Sequence, residues 1–152
     1  MKAIILAAGI NSRLTNYIDI PKCLLPFGKT TILENQIDSL VKAGIKREDI
    51  LIVVGHKAEM IQKLHQNTLF NPNVQLGNGD GLHLALQHLL YEIGLDDDEK
   101  IFILDGDLVY DNDLIYKINL SDKENLLVNR KIEYSQELKD EISVINEKSR
   151  IL

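Results

Sequence analysis

Lys2-Ala3-Ile4-Ile5-Leu6, running directly into Ala7-Ala8-Gly9-Ile10-Asn11-Ser12-Arg13-Leu14, is the stretch whose reading decides the fold. An uninterrupted apolar run closed by a small-residue turn is the pattern of a strand covered on both faces, as in a parallel sheet. The spacing predicts a strand over 2–6. The connection that follows, 7–21, is longer than the roughly 2–6 residues usual between strand and helix, and such loops tend to carry function. Ala7, Ala8 and Gly9 have almost no side chain, so a flat base or a phosphate can approach their backbone closely.

Outward from this stretch, the same grammar repeats. Strands are predicted at 50–54, closed by Gly55, and at 101–104, which runs into Asp105-Gly106-Asp107. A helix is predicted over 31–43. Thr31 and Glu34 are spaced as a capping box, Ile32, Leu33, Ile37, Leu40 and Val41 form its apolar stripe, and Gly44 ends it. A second helix is predicted over 57–67 with Met60, Ile61 and Leu64 inward. A short strand is expected at Val74-Gln75. The loop 76–81, with three glycines, leads into a helix reaching Ile93, with Leu82, Leu86, Leu89, Leu90 and Ile93 on one face. Residues 111–118 are expected to form a short helix or turn. Further strands are expected at 126–128 and, as a hairpin, at 142–145 and 150–152. Strands alternating with helices imply an α/β fold: a three-layer, doubly wound, mostly parallel sheet in one domain, 1–152. The chain ends on Ile151-Leu152, inside the expected hairpin, which leads us to expect a longer protein or a shortened relative of longer ones.

Composition narrows the function. The chain has 152 residues, 45% hydrophobic and 26% charged, with a net charge of −6. These are the values of a globular domain able to bury a core. The acidic balance argues against a nucleic acid bound across a broad basic face. No apolar run approaches the roughly 20 residues of a membrane span. Cys23 is the only cysteine, so no internal disulfide exists and a reducing, cytoplasmic setting is expected. The charge is uneven, however. Residues 1–31 carry Lys2, Arg13, Lys22 and Lys29 against Asp19 alone, whereas Asp96-Asp97-Asp98-Glu99 reads as a solvated loop. A compact positive site on an acidic protein suits a small anion.

Arg13 offers a planar fork that matches two phosphate oxygens, and Lys22 a compact charge whose backbone is restricted by Pro21. Taken singly, either is an ordinary surface cation; with the small-residue loop they describe a polyphosphate cradle. In open α/β sheets ligands gather at the carboxyl ends of strands, where Asp105 and Asp107 also fall. Hard carboxylate oxygens there suit Mg²⁺, which prefers one or two carboxylates plus phosphate oxygens and water. Asp105 reads either as a ligand-side contact or as a residue tying down its turn. Asp111 and Asp113 read as a helix cap and a surface charge. No Gly-x-Gly-x-x-Gly or Walker-type loop competes. His83 and His88, five apart on a helix, are wrongly spaced to share a metal. His56, after Gly55, reads as structural or as lining an acceptor pocket. Cys23 reads as buried packing.

Leu6-Ala7-Ala8-Gly9-x-x-Ser12-Arg13-Leu14, Pro21-Lys22 and Leu25-Pro26-x-Gly28-Lys29 resemble the N-terminal signature of the sugar-phosphate nucleotidyltransferases. The resemblance continues through Leu33-Glu34, Ala43-Gly44-Ile45 and Val53-Val54-Gly55-His56 to Asp105-Gly106-Asp107. It implies a nucleotide-diphospho-sugar transferase-like (glycosyltransferase-A-like) fold. It also implies transfer of a nucleotidyl group from a nucleoside triphosphate to a phosphorylated sugar, polyol or choline, with release of pyrophosphate. In that family's terms Arg13 and Lys22 are the catalytic cations. Leu6, Ala7, Ala8, Gly9, Asn11 and Ser12 belong to the nucleotide loop, and Asp107 holds Mg²⁺. Gln75-Leu76-Gly77-Asn78-Gly79 is similar to a stretch over base and ribose, which implies contacts from Gln75, Gly77 and Asn78; by itself it also reads as a glycine-rich turn before a helix. The family has glycine where this chain has Asn11, the non-glycine residue most tolerant of a left-handed turn. A second metal-binding aspartate and much of the acceptor site would fall beyond residue 152. Two other readings stay open: a glycosyltransferase of related fold using Asp105-Gly106-Asp107 as an Asp-x-Asp motif, and a non-catalytic nucleotide-binding or regulatory domain. A homodimer is also compatible with the sequence.

Overall fold

Strand β1 (Lys2–Ala7) lies at the centre of a parallel sheet, with Ala3 to Ala7 paired to Ile50 to Val54 on one side and Lys2 to Leu6 paired to Ile101 to Asp105 on the other. The computed structural model describes residues 1–10, 19–95, 98–110 and 112–119. Among these the chain order is β1, β2 (Pro26–Phe27), β3 (Thr30–Thr31), α1 (Ile32–Lys42), β4 (Ile50–Val54), α2 (Ala58–Gln62), β5 (Thr68–Phe70), α3 (Asn78–His88), β6 (Ile101–Asp105) and α4 (Asn112–Asn119). The main sheet runs β5-β4-β1-β6, every pair parallel; β2 and β3 form a separate antiparallel ribbon. Residues Met1–Asn119 make one compact unit.

The period-2 geometry of β1 and β4 sorts their side chains to two faces. Ala3, Ile5, Ile50, Ile52 and Val54 pack with Leu33, Ile37 and Leu40 of α1, Ile61 of α2 and Ile115 of α4. Ile4, Leu51 and Val53 face the other way, against Ala85 and Leu89. Both faces are covered by helices, which is why these strands read as unbroken apolar runs. The three-layer, parallel α/β architecture expected from the sequence is the one observed.

Helix α1 forms as its sequence dictates. Thr31 accepts from the Glu34 amide at 3.2 Å, and the Glu34 carboxylate accepts from the Thr31 amide at 2.8 Å, closing the capping box. At the other end Gly44 takes φ +94°, and the Gly44 and Ile45 amides donate to the Val41 and Leu40 carbonyls. That pair of bonds is a Schellman ending, which requires a left-handed residue at this position. Of the predicted stripe, Leu33, Ile37 and Leu40 are buried but Val41 is exposed.

Four expectations are corrected. The helix predicted over 57–67 stops at Gln62, and Leu64 is exposed. The chain is captured instead by the sheet: buried His65 bonds the Ile50 carbonyl through Nε2, the Asn67 side-chain amide donates to the same carbonyl, and Thr68–Phe70 pairs with β4. The β-branched and aromatic residues of β5 suit that role. Val74-Gln75 is not a strand but part of a 3-10 turn, Val74–Leu76, set up by the buried Asn71, whose Oδ1 accepts from the Asn73 amide. The helix after the glycine-rich loop begins earlier, at Asn78, and its last residues widen into a π-helical turn, Leu89–Ile93. That turn rotates Leu90 and Ile93 outward, leaving both exposed. Finally, the acidic loop is not wholly solvated. Glu99 is half-buried and bonds the N-terminal amine of Met1 at 2.5 Å. The strands expected at 126–128, 142–145 and 150–152 lie outside the described residues.

Candidate active site

The carboxyl ends of β1, β4 and β6 lie together because their register is nearly level: Ala7 is opposite Val54 and Leu6 opposite Asp105. A cleft of about 220 Å³ opens at this edge, between the end of β1 and the turn after β6. Its floor is Leu6, Ala7, Gly9 and Ile10; its walls include Pro21, Lys22 and Cys23 on one side and Asn78, Asp105, Gly106 and Asp107 on the other.

Each wall is built by local chemistry. Pro21 is buried, and the 3-10 turn Lys22–Leu24 closes with the Leu24 amide donating to the Pro21 carbonyl at 2.9 Å. The Lys22 side chain therefore leaves a fixed backbone. Its Nζ lies 3.7 Å from Asp107 Oδ2, with both side chains partly exposed. Upstream, Lys57 holds Asp19 by an ion pair and by a bond to its carbonyl at 2.7 Å. The Lys57 ammonium keeps the Asp19 carboxyl below the ordinary carboxylate range.

The opposite wall is pinned at four points. The Gly106 amide donates to the Leu6 carbonyl at 2.8 Å. Asn78 Nδ2 donates to Asp105 Oδ1 at 2.7 Å, tying the first residue of α3 to the end of β6. Gln36 Nε2 donates to the carbonyls of both Asp105 and Leu108, each at 2.9 Å. A side chain at Gly106 would lie 3.0 Å from the Leu6 carbonyl, so the turn passes close against β1. Burial, and then the charge of neighbouring Asp107, push the Asp105 carboxyl up; the Asn78 bond opposes them.

Of the sequence-predicted site residues, the structure brings Leu6, Ala7, Gly9, Lys22, Asn78 and Asp107 to one cleft. Ala8 points its carbonyl at the His56 amide, 3.4 Å away, and is not part of the lining. Gln75 and Gly77 are exposed in the turn before α3, outside the lining; Gly77 has φ +82°, which only glycine adopts freely. Asn11, Ser12, Arg13 and Asp111 lie outside the described residues. Two participants escaped the sequence reading, Gln36 and the Asn78–Asp105 bond; Cys23, read as buried packing, is buried and also lines the cleft. Gln36 did leave a signal, since it is three residues after Leu33 and four before Leu40, a polar residue on the apolar stripe of α1.

Cys23 lines the cleft yet is not a reactive thiol. Burial pushes its pKa up to about 12 from 9.0, with the Asp107 charge adding to the rise. Tyr110, partly buried and with its enclosed hydroxyl lacking a partner among the described residues, is shifted in the same direction. Well below pH 9 both groups keep their protons in the folded and unfolded chains alike. As pH rises from about 9 towards 12 the unfolded chain loses the Cys23 proton and the folded chain keeps it, so stability falls by about 1.4 kcal/mol per pH unit. Urea unfolding of the unsubstituted chain and of Cys23→Ala, compared at pH 8 and pH 10.5, should show a steeper loss in the former. Equal slopes would refute the assignment.

Asp107 and the adjacent Asp105 form the carboxylate face of the cleft, and among the described residues no group of three or more His, Cys, Asp or Glu gathers around a point. One or two carboxylates beside a cation is a donor set that fits Mg²⁺ carried by phosphate oxygens and water, and does not fit an all-protein metal cage.

Comparison with known proteins bears on the fold and the family. The chain is 31% identical over 121 residues to a mannose-1-phosphate guanyltransferase of Yarrowia lipolytica, covering 73% of this chain and 31% of that protein. It is 34% identical over 108 residues to the bifunctional protein GlmU of Trichormus variabilis, covering 68% of this chain and 22% of that one. Among solved structures, the CTP:phosphocholine cytidylyltransferase of Streptococcus pneumoniae superposes with a TM-score of 0.55 at 29% identity, over 74% of this chain and 50% of that one. A nucleotidyl transferase of Methanothermobacter thermautotroptrophicus shares the fold, with a TM-score of 0.61 at 20% identity, over 78% and 56% of the two chains. The chain thus spans about half of these solved structures and a third or less of the curated relatives. Residues 3–121 match the MobA-like NTP transferase domain. The resemblance drawn from the N-terminal stretch holds at the level of the family: this chain belongs to the MobA-like NTP transferase domain family.

Proposed function

We propose that this chain forms the triphosphate-binding part of a Mg²⁺-dependent nucleotidyltransferase. It joins a nucleoside triphosphate to a phosphorylated sugar, polyol or choline and releases pyrophosphate. The observation that carries the reading is the opposition of Lys22 and Asp107, 3.7 Å apart, over a floor of small residues at the carboxyl edge of the sheet. Lys22 contacts the triphosphate and offsets the charge that builds on the α-phosphorus and on the leaving pyrophosphate. Arg13, which lies outside the described residues, is assigned to the same anion. The backbone of Ala7 and Gly9 lies beneath the nucleotide, and the amino end of α3, at Asn78, flanks it. Gln75 and Gly77 belong to the turn that leads to that helix end. Asp107 would hold Mg²⁺, which when bound would supply Lewis-acid charge to the triphosphate.

The reaction asks little more of the protein. An acceptor phosphate oxygen attacks the α-phosphorus, the bond to the β-phosphate oxygen breaks, and pyrophosphate carries away the electron pair. The nucleophile is already ionised, so no general base is needed. The cleft's contribution is to place the two anions against each other.

The glycosyltransferase reading is weaker on one ground. Asp105 Oδ1 is already engaged by Asn78, so the two aspartates are not an equivalent metal-chelating pair. The single buried cysteine and the −6 charge suit a reducing cytoplasm and a small-molecule substrate rather than a nucleic acid. Among the described residues no helix is long and apolar enough to cross a membrane.

The test is pyrophosphate release with Mg²⁺, each of the four triphosphates and a panel of phosphorylated acceptors. Asp107→Asn is expected to lower turnover by about 10²–10³-fold, the scale of losing one charge-stabilising group. Triphosphate binding with no pyrophosphate from any acceptor would instead support a non-catalytic nucleotide-binding domain. Absence of triphosphate binding would refute the proposal.

A further inference from the structure

Gln36 is 1% exposed and is the only polar residue whose side chain crosses from α1 to the turn after β6 among the described bonds. Its Nε2 donates to two carbonyls, Asp105 and Leu108, which bracket Gly106 and Asp107. The orientation of the amide is not arbitrary: turned over, it would set Oε1 against two carbonyl oxygens. In the orientation observed, Oε1 is buried and without a partner. That is a cost. An orphaned buried acceptor is unfavourable, and the neighbours Leu33, Ile37 and Leu40 show that the site accommodates apolar side chains. A leucine or methionine here would remove that cost but leave the Asp105 and Leu108 carbonyls without this donor.

What the amide does instead is clamp both ends of a four-residue turn. With the Gly106 amide fixed to Leu6 and the Asp105 carboxylate fixed to Asn78, the backbone on both sides of Asp107 is held, and its half-exposed carboxylate lies 3.7 Å from Lys22 Nζ. We propose that Gln36 is a positioning residue: it sets the Asp107 carboxylate for a divalent cation from the interior, by bonding the backbone on either side of it. The inference rests on the proposed metal role of Asp107. A carboxylate leaving a fixed backbone loses less on meeting a small cation that tolerates little geometric error than one on a loosened turn.

The test is equilibrium titration with Mn²⁺ of the full chain holding one equivalent of a nucleoside triphosphate. Gln36→Met keeps the volume and removes the donor, and is expected to weaken Mn²⁺ binding by 10-fold or more. Leu40→Ala, on the same helix face and not bonded to the turn, provides the stability control. It should lower the urea midpoint at least as far and leave Mn²⁺ affinity within twofold. Asp107→Asn separates the two ideas. If it binds Mn²⁺ as the unsubstituted chain does, the metal reading itself fails, and Gln36 with it. If Asp107→Asn loses Mn²⁺ while folded Gln36→Met keeps it, only the role of Gln36 is overturned. Should Gln36→Met not fold, the side-chain amide signals of Gln36 in the unsubstituted chain decide the matter by NMR. They are expected to shift on Mg²⁺ addition with the midpoint of the Asp107 signals, and unmoved signals overturn the proposal.

Discussion

Lys22→Ala is expected to lower pyrophosphate release by about 10²–10³-fold while leaving the fold intact, the scale reached when one preorganised charge is removed from a developing anion. The separation of the two effects follows from the geometry. The Lys22 ammonium and Asp107 are both partly exposed and 3.7 Å apart, and such pairs contribute about 0–1 kcal/mol to stability. The buried groups beside it, Pro21, Cys23 and Leu24, are untouched by the substitution. The loss should therefore appear in triphosphate affinity and turnover and be nearly absent from the urea midpoint. Lys22→Arg is not a neutral control, because a planar fork does not reproduce a compact ammonium on the same backbone. Unchanged triphosphate affinity in Lys22→Ala would remove the basis for reading this cleft as a triphosphate site.

Gly55→Ala is expected to be the most damaging small substitution to the fold. A β-carbon there would lie 2.3 Å from Val74 Cγ1 and 2.6 Å from the Ala8 carbonyl oxygen. The Val74 side chain can rotate aside; the carbonyl is backbone and cannot. Overpacking of this kind costs about 1–3 kcal/mol or more. The position couples the fold to the cleft. Gly55 follows β4, and the adjacent His56 amide donates to that same Ala8 carbonyl. Pushing Ala8 away therefore moves the end of β1, and with it Ala7 and Gly9 on the cleft floor. We expect a fall in thermal midpoint of several degrees together with weaker triphosphate binding. Gly9→Ala provides the contrast, since nothing lies within 4 Å of a β-carbon built there. It should leave the thermal midpoint nearly unchanged. A Gly55→Ala protein as stable as the unsubstituted chain would refute the close approach.

The parts of this protein that could be read from the chain are those in which local preference and burial agree. β1 and β4 read as unbroken apolar runs because helices cover both their faces, and helix α1 carries its start signal in Thr31 and Glu34 and its stop signal in Gly44. The residues that meet at the cleft were legible in part for a topological reason: strand ends in a parallel sheet converge on one edge, so Gly9, Lys22 and Asp107 were expected together. Segment 57–67 failed because its helical spacing competed with a free edge of β4. Pairing Thr68–Phe70 there satisfies a row of backbone groups that a longer helix would leave open. The orientation of Leu90 and Ile93 failed because a π-helical turn changes the angle between successive residues, which no count of apolar spacing anticipates.

By itself, then, the sequence determined the alternation of strands and helices, the capping of α1, the family, and which residue types meet at the carboxyl edge of the sheet. These rest on interactions between residues close in the chain, or on a pattern that any parallel sheet imposes. Only the tertiary structure decided that Gln36 grips the turn carrying Asp107, that Asn78 holds Asp105, and that Gly55 must yield its side chain to Ala8 and Val74. Those contacts join residues tens of positions apart. Their free energies depend on ångström-scale distances between elements, and spacing along a single chain does not encode such distances.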